Sequence, residues 1–184
     1  MQTKKSLREE MEARLLSQGP NERLEKSRLI WDKLFGSAAF KKAACVCFYV
    51  SLPMEVDTSL MIDNALAMGK RVVVPLSDLE NKELKLYQIK NRRDDLKEGA
   101  FGISEPIPDR TRLTKKEEVD CVIVPGIVFD KQNHRIGRGK GFYDRFLQGF
   151  GAEVPKIGLA FSFQVIQKIP HDSHDEKLSL VLTD

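Results

Sequence analysis

Three short runs of the chain are apolar almost throughout, and they restrict the fold more than any other feature of the sequence. They cover residues 43–50 (AACVCFYV), 119–124 (VDCVIV) and 155–161 (PKIGLAF). Short runs without alternation between apolar and polar residues are typical of strands buried on both faces. Such strands occur in parallel sheets that are covered by helices on each side. The sequence therefore predicts an α/β fold, a single three-layer domain with a mostly parallel central sheet flanked by helices.

Segments with a helical spacing of apolar residues lie between these runs. Thr3 caps the first predicted helix, Asn21 the second, and either Asp57 or Thr58 the third, because side chains of these types accept hydrogen bonds from the first turn of a helix. Glycine marks the end of the second and third helices. The predicted helices cover residues 3–18, 21–36, 57–69 and 142–150.

The remaining segments predict three further strands and one irregular connection. Residues 82–89 carry a looser alternation that favours a strand at the edge of the sheet. Residues 91–108 mix charge, glycine and two prolines, which is typical of an irregular crossing segment. The further strands are predicted at residues 71–76, 82–89 and 179–183.

Composition excludes several classes of protein. A length of 184 residues favours one domain over residues 1–184, and no apolar run approaches the roughly 20 residues of a membrane span. The charged amino terminus lacks the apolar centre of a secretory signal, so we expect a cytoplasmic protein, and we expect a monomer. Cys45, Cys47 and Cys121 lie in apolar runs and are expected to be reduced core thiols. A net charge of +3, spread among acids, argues against a nucleic-acid partner.

The stretch that carries the chemistry is residues 135–145 (RIGRGKGFYDR). Its glycines allow close backbone approach to a ligand, and a helix is predicted to begin directly after them. Arg135, Arg138 and Lys140 add more positive charge than a turn requires, so the stretch predicts a polyphosphate site. It matches neither the P-loop nor the dinucleotide fingerprint. A flexible hairpin without a ligand is the alternative.

Two carboxylates are placed to hold magnesium beside such a phosphate. Asp144 lies on the first turn of the predicted helix, and Asp175 lies in the loop after the next predicted strand, so the two are expected to share one ion. The alternatives are a helix-start carboxylate and a solvated loop acid. His171 and His174 have no third soft ligand nearby, which argues against a transition-metal site.

Two residues elsewhere are candidates for contact with an organic substrate. Glu55 follows the first buried strand, at the edge of the sheet where ligands bind in open α/β folds. An acidic residue near a helix start is an equal alternative for Glu55. Phe101 either covers a ring-shaped ligand or is buried in the core.

No serine or cysteine stands in a nucleophile turn, so phosphoryl transfer by positioning and charge neutralisation remains as the chemistry.

Five segments match one known family when they are taken together. They resemble the 5-formyltetrahydrofolate cyclo-ligase family, also called methenyltetrahydrofolate synthetase. The resemblance implies conversion of 5-formyltetrahydrofolate to 5,10-methenyltetrahydrofolate with ATP and Mg²⁺, through phosphorylation of the formyl oxygen and ring closure by N10. The segments are residues 4–8 (KKSLR), 51–58 (SLPMEVDT), 101–106 (FGISEP), 119–147 and 174–175 (HD).

The resemblance also implies roles for individual residues. Asp144 and Asp175 would hold magnesium, Glu55 and Phe101 would contact the folate, and Arg138 with Lys140 would neutralise the transferred phosphoryl group. Phe142 stands where many members have tyrosine and Phe101 where tryptophan is common, so each position keeps a ring but loses a polar group. The residues implied to surround ATP are Lys4, Arg8, Arg135, Gly137, Arg138, Gly139, Lys140, Gly141, Phe142 and Tyr143.

Two other functions are compatible with parts of the pattern. A non-catalytic module could bind nucleotide or RNA through the basic residues, with an affinity that falls steeply as salt is added. The weak overall charge argues against this function. A sugar-phosphate isomerase on a similar sheet requires an acid/base pair near the loop, and the sequence offers no convincing pair.

Overall fold

The structure, a computed structural model, describes residues 2–99, 102–172 and 175–184. At the centre of the described residues is a seven-stranded sheet, made of β1 (Cys45–Cys47), β2 (Arg71–Asp78), β3 (Glu83–Ile89), β6 (Arg112–Thr114), β7 (Cys121–Val124), β10 (Lys156–Leu159) and β12 (Leu180–Leu182). The strand order in this sheet is β12-β10-β7-β1-β2-β3-β6.

Pairing in the sheet is parallel from β12 through β2 and antiparallel at the other end. The three apolar runs of the sequence supply β1, β7 and β10, and the prediction of a mostly parallel sheet is confirmed. The prediction that residues 82–89 form an edge strand is wrong, because β6 pairs with the outer side of β3. The short β6 has only three residues, too few for a recognisable alternation in the sequence.

The described residues contain six α-helices. Thr3 caps α1 through a bond from the Ser6 N–H, as predicted, and α2 begins at Pro20 rather than after an Asn21 cap. Proline fits the first position of a helix because its missing N–H has no intrahelical partner there. The helices are α1 (Lys4–Ser17), α2 (Pro20–Gly36), α3 (Ala38–Lys42), α4 (Ser59–Ala67), α5 (Arg92–Asp95) and α6 (Phe142–Gln148).

Alternate residues of the central strands belong to two separate cores. Val46 of β1 and Ile123 of β7 pack into a core that includes buried side chains of α1, α2 and α4. Their neighbours Cys47 and Val122 pack into a second core with α6. Because successive strand residues point to opposite faces, the two cores lie on opposite sides of the sheet. The layers are therefore helices, sheet and helix, as predicted.

The connections are more ordered than the sequence pattern indicated. The predicted irregular segment 91–108 contains α5 and a two-stranded sheet of β4 (Leu96–Glu98) and β5 (Ser104–Pro106). The chain leaves the central sheet at Pro125-Gly126 after β7, and the apolar residues that follow supply one strand of a separate three-stranded sheet. The strands of that sheet are β8 (Val128–Asp130), β9 (Arg135–Ile136) and β11 (Val165–Ile166).

The cysteine prediction is confirmed, since all three thiols are buried and form no disulfide. Burial raises the pKa of the Cys121 thiol to about 12, so this group stays protonated near neutral pH. In the described ranges, no helix combines the length and the apolar composition that a membrane span requires.

Candidate active site

The candidate site is a cavity of about 160 Å³ beyond the carboxyl ends of β1 and β7. Its walls come from four parts of the chain: the loop after β1, the β2–β3 hairpin with residues 103–105, residues 125–127 after β7, and Arg135 with residues 137–144 before and within α6. Several predicted site residues line it together, namely Glu55, Arg135, Gly137, Arg138, Gly139, Lys140, Gly141, Phe142, Tyr143 and Asp144.

The backbone of residues 137–141, here called the glycine loop, requires glycine for two different reasons. Gly139 and Gly141 have φ values of +86° and +69°, in the left-handed region that other residues rarely adopt. At Gly137 an added Cβ would lie 2.6 Å from Nη1 of Arg135. Helix α6 has seven residues and no side-chain cap at Gly141, so the positive charge of this wall comes mainly from the arginine and lysine side chains.

Gly141→Ala is expected to lower the free energy of unfolding by about 1–2 kcal/mol, because alanine is strained at positive φ. Its Cβ would also lie 2.8 Å from Nη1 of Arg145. Urea titration followed by the fluorescence of Trp31 measures the change. The control is Gly19→Ala, where φ is −65° and an added Cβ has nothing within 4 Å; its expected change is within about 0.5 kcal/mol. Equal stability of the two variants would contradict the prediction.

Arg135 lies beneath the glycine loop in an ion pair with Asp144. Its Nη2 is 2.5 Å from Oδ1 of Asp144, and its side chain is only 2% exposed. Burial lowers the pKa of the Arg135 guanidinium, and the charge of Asp144 opposes that shift. Within the described residues, the buried Nε of Arg135 has no hydrogen-bond partner. The Arg135 side chain is therefore shielded from solvent, and its guanidinium orients the Asp144 carboxylate.

Arg138 joins the glycine loop to the loop after β1. Its Nη2 lies 3.2 Å from Oε1 of Glu55, and its Nη1 lies 3.7 Å from Oε1 of Glu12 on α1. The other Glu55 oxygen accepts a bond from the Leu52 N–H at 3.0 Å. Burial raises the pKa of the Glu55 carboxyl, while the Leu52 N–H and Arg138 pull it down. The structure thus brings Glu55 and Arg138 together at one edge of the cavity.

Helix α1 reaches the same region from outside the cavity lining. Nε of Arg8 donates to the Gly137 carbonyl at 2.7 Å, so Arg8 braces the glycine loop. Nζ of Lys4 lies 2.6 Å from Oδ2 of both Asp172 and Asp175. Burial alone would raise the pKa of Asp175, but the hydrogen bond from Lys4 holds it below its usual range. Lys4, Arg8 and Asp175 surround the cavity without lining it.

The two predicted magnesium ligands are both present near Arg135, whose charge acts on Asp144 and on Asp175. Among the residues that the structure describes, no group of three or more metal-ligating side chains occurs. Two carboxylates suit Mg²⁺, which usually takes one or two protein carboxylates and completes its shell with phosphate oxygens and water. The donor set therefore fits an ion bound together with a polyphosphate rather than a closed protein cage.

Some predicted positions fall elsewhere. Phe101 and His174 lie outside the described residues. His171 does not line the cavity; its ring stacks on His134 with centroids 4.0 Å apart, and Nδ1 of His134 lies 3.1 Å from Oδ2 of Asp130.

Three residues of the region were not predicted from the sequence. Glu12 lies one helical turn after Arg8 on α1, so this spacing could have indicated that both residues lie on the same face of the helix, toward the site. Tyr49 lines the cavity but lies in an apolar run that gave no sign of a site, and Glu105 lines it from the segment 101–106, in which no role was predicted for the glutamate.

Comparison with known proteins places these features in context. The model of a protein family described as the 5-formyltetrahydrofolate cyclo-ligase family matches residues 1–184. A probable 5-formyltetrahydrofolate cyclo-ligase of Schizosaccharomyces pombe is 32% identical over 158 residues, which cover 78% of this chain and 76% of that protein. The 5-formyltetrahydrofolate cyclo-ligase of Mus musculus is 28% identical over 187 residues, covering 97% of this chain and 92% of the mouse protein.

A solved structure shares both the fold and the sequence signal. The NMR structure of Aquifex aeolicus 5,10-methenyltetrahydrofolate synthetase superposes with a TM-score of 0.85 and 32% sequence identity. The match covers 97% of this chain and 88% of the Aquifex chain. The overall fold of this chain is thus similar to that of the Aquifex protein over nearly its whole length.

Proposed function

The chain belongs to the 5-formyltetrahydrofolate cyclo-ligase family of ligases, and on that basis we propose the reaction that its cavity carries out. The protein converts 5-formyltetrahydrofolate to 5,10-methenyltetrahydrofolate and releases ADP and phosphate. One observation supports this most strongly: a single cavity joins a cationic glycine loop to a wall with an acidic residue, Glu55, and apolar side chains. Such a cavity can hold a polyphosphate and an organic ring side by side.

The reaction requires activation of a poor electrophile. Nitrogen N5 donates electrons into the formyl carbonyl, and the carbonyl oxygen is a poor leaving group. Transfer of the γ-phosphoryl group of ATP to that oxygen makes it a good leaving group, and N10 then attacks the carbon. Ring closure expels phosphate, so the oxygen leaves with the phosphoryl group. The protein must align two anionic substrates and neutralise the charge that spreads over the phosphoryl oxygens.

Arg138 and Lys140 are assigned to charge neutralisation. Both line the cavity from the glycine loop, and the Arg138 side chain is 40% exposed, so it can reach a bound phosphate. In the structure Arg138 contacts Glu55, which we assign to folate binding. Arg138 therefore spans the two substrate positions and can move between a carboxylate and a phosphate with little change of backbone.

Arg135, Lys4 and Arg8 support the same site from behind. Arg135 is buried against Asp144, so it fixes the carboxylate and contributes a positive field to the phosphates. Arg8 holds the Gly137 carbonyl, and Lys4 pairs with Asp175. The remaining proposed nucleotide contacts are Gly137, Gly139, Gly141, Phe142 and Tyr143, all of which line the cavity.

Asp144 and Asp175 are assigned to Mg²⁺. These two residues would hold the ion, and it would supply positive charge that stabilises the transferred phosphoryl group. The two carboxylates form ion pairs with Arg135 and Lys4, which orient them. Phe101 is assigned to the folate ring and remains a prediction.

We further propose a single domain over residues 1–184 that acts as a cytoplasmic monomer without a nucleic-acid partner. The domain assignment is supported by the family match across residues 1–184. The cytoplasmic assignment is supported by three buried, unpaired cysteines, which suit a reducing compartment.

The purified protein, mixed with 5-formyltetrahydrofolate, ATP and Mg²⁺, is expected to develop the near-ultraviolet absorbance of the methenyl product. Omission of ATP, or chelation of the metal ion, is expected to abolish the signal, because the formyl oxygen is then not activated. ADP release in step with product formation is the second measurement. Failure to form the product at any pH near neutrality would contradict the proposal. If the protein instead binds nucleotide or RNA with an affinity that falls steeply as salt is added, and releases no ADP with folate, a nucleotide- or RNA-binding module is favoured.

A further inference from the structure

Arg138 joins the two substrate positions of the cavity, and its guanidinium already has protein partners. Its Nη2 lies 3.2 Å from Oε1 of Glu55 and 3.2 Å from Sδ of Met54, both in the loop after β1. Its Nη1 lies 3.7 Å from Oε1 of Glu12 on α1. A phosphate that approaches this guanidinium is repelled by the two carboxylates. Phosphate and Glu55 therefore compete for Arg138.

Glu55 depends on Arg138 for the compensation of its charge. Its side chain is 11% exposed, and its second oxygen accepts a hydrogen bond from the Leu52 N–H at 3.0 Å. A largely buried carboxylate that loses its counter-charge is destabilised, so it binds a new hydrogen-bond donor more strongly. The N–H groups of a reduced pterin ring are donors of this kind. Folate and Arg138 therefore compete for Glu55.

The two competitions involve one and the same ion pair. In the free protein the first ligand to bind has to replace the Arg138–Glu55 contact, and part of its binding free energy is spent on that replacement. The second ligand then finds its own partner already released. Each ligand consequently raises the affinity of the site for the other by the same factor, as thermodynamic linkage requires.

We propose that the Arg138–Glu55 ion pair couples the two substrate positions, so that ATP and 5-formyltetrahydrofolate bind with positive cooperativity. ATP takes Arg138 and releases Glu55 for the folate, and the folate takes Glu55 and releases Arg138 for ATP. This inference rests on the proposed function. The coupling favours the ternary complex, so ATP is held firmly when a formyl oxygen is present to accept its phosphoryl group.

Calorimetric titration of the full-length wild type measures the coupling. The probe is the Mg²⁺ complex of a non-hydrolysable ATP analogue, added with and without saturating 5-formyltetrahydrofolate. The Kd of the analogue is expected to fall by about 5–30-fold when the folate is present, within the range usual for coupled sites. The Kd of the folate is expected to fall by the same factor when the analogue is saturating.

Glu55→Gln assigns the coupling to the ion pair. Without folate, this variant is expected to bind the ATP analogue about 3–10-fold more tightly than the wild type, because Arg138 is no longer held by a carboxylate at this position. Saturating folate is then expected to change the Kd of the analogue by less than about twofold.

The matched control is Asp57→Asn. It removes a negative charge from the same loop and keeps an acceptor for the Ser59 N–H, the contact that Asp57 makes in the structure. This variant is expected to keep the wild-type coupling and the wild-type affinity for the analogue within about twofold, since it leaves the Arg138–Glu55 pair in place.

Three outcomes would overturn the inference. They are the same Kd of the analogue with and without folate in the wild type, full coupling in Glu55→Gln, and an equal gain of analogue affinity in Glu55→Gln and Asp57→Asn. The last result would assign the gain to the general field of the loop. If Glu55→Gln does not fold, Arg138→Gln decides the question: loss of coupling supports the inference, and wild-type coupling contradicts it.

The failures of the two proposals are distinguishable. If the wild type makes the methenyl product but binds its two substrates independently, the coupling through Arg138 and Glu55 fails and the proposed function stands. If the wild type neither binds 5-formyltetrahydrofolate nor makes product, both fail.

Discussion

Arg138→Gln is expected to lower kcat/KM for methenyl formation by about 10²–10³-fold, the usual cost of removing one group that stabilises transition-state charge. Glutamine keeps hydrogen-bonding atoms but loses the positive charge. Arg138 is held at the cavity edge by Glu55 and Glu12, so its guanidinium is near the phosphates before they bind. Most of the loss should therefore appear in kcat, because phosphoryl charge spreads mainly in the transition state.

The matched control is Arg28→Gln, which removes the same charge from an exposed position on α2. Its kcat/KM is expected to stay within about twofold, since screening weakens distant surface charges. Steady-state assays with ATP and 5-formyltetrahydrofolate varied separately give kcat and each KM. If Arg138→Gln changes only the KM for ATP, Arg138 binds the ground state and is not a transition-state residue.

Asp144→Asn is expected to reduce magnesium-dependent turnover by about 10²-fold and to raise the Mg²⁺ concentration for half-maximal rate by about tenfold or more. An amide is a weaker ligand than a carboxylate for a hard cation. The same change removes the charged partner of buried Arg135, so the free energy of unfolding should fall by about 1–3 kcal/mol. The chain should remain folded, since Asp144 is only partly buried and α6 keeps its buried Phe146 and Leu147.

A second substitution separates the two effects. Replacing buried Arg135 by methionine in the Asp144→Asn background is expected to restore part of the stability, because the unpaired buried charge is gone. Turnover is not expected to recover. Asp32→Asn on α2, an exposed carboxylate, is the control for both measurements. Wild-type turnover in Asp144→Asn would remove Asp144 from the site.

Much of the fold follows from local patterns. The runs that supply β1, β7 and β10 are apolar on both faces, and only a sheet covered on both sides buries such strands. The Thr3 side chain fixes the start of α1 through a hydrogen bond to the first turn, and Gly69, with a positive φ, follows the end of α4. Apart from the Asn21 cap of α2, the wrong predictions arise from short elements: the three-residue β6 that takes the edge position given to β3, and the segment in which β4 and β5 pair. Two or three residues carry too little periodicity for their pairing to be predicted.

The features of the site likewise fall into those that local sequence predicts and those that depend on contacts between distant residues. The sequence by itself determined the glycine loop and its cations, because glycine at positive φ beside clustered arginine and lysine is a local property of residues 135–145. Only the tertiary structure decided the partners: Arg135 with Asp144, Arg138 with Glu55, Lys4 with Asp172 and Asp175. It also placed Glu105, distant in sequence from the glycine loop, in the wall of the same cavity. Charge pairing and burial depend on which strand ends meet at the edge of the sheet, and no local pattern specifies those distances.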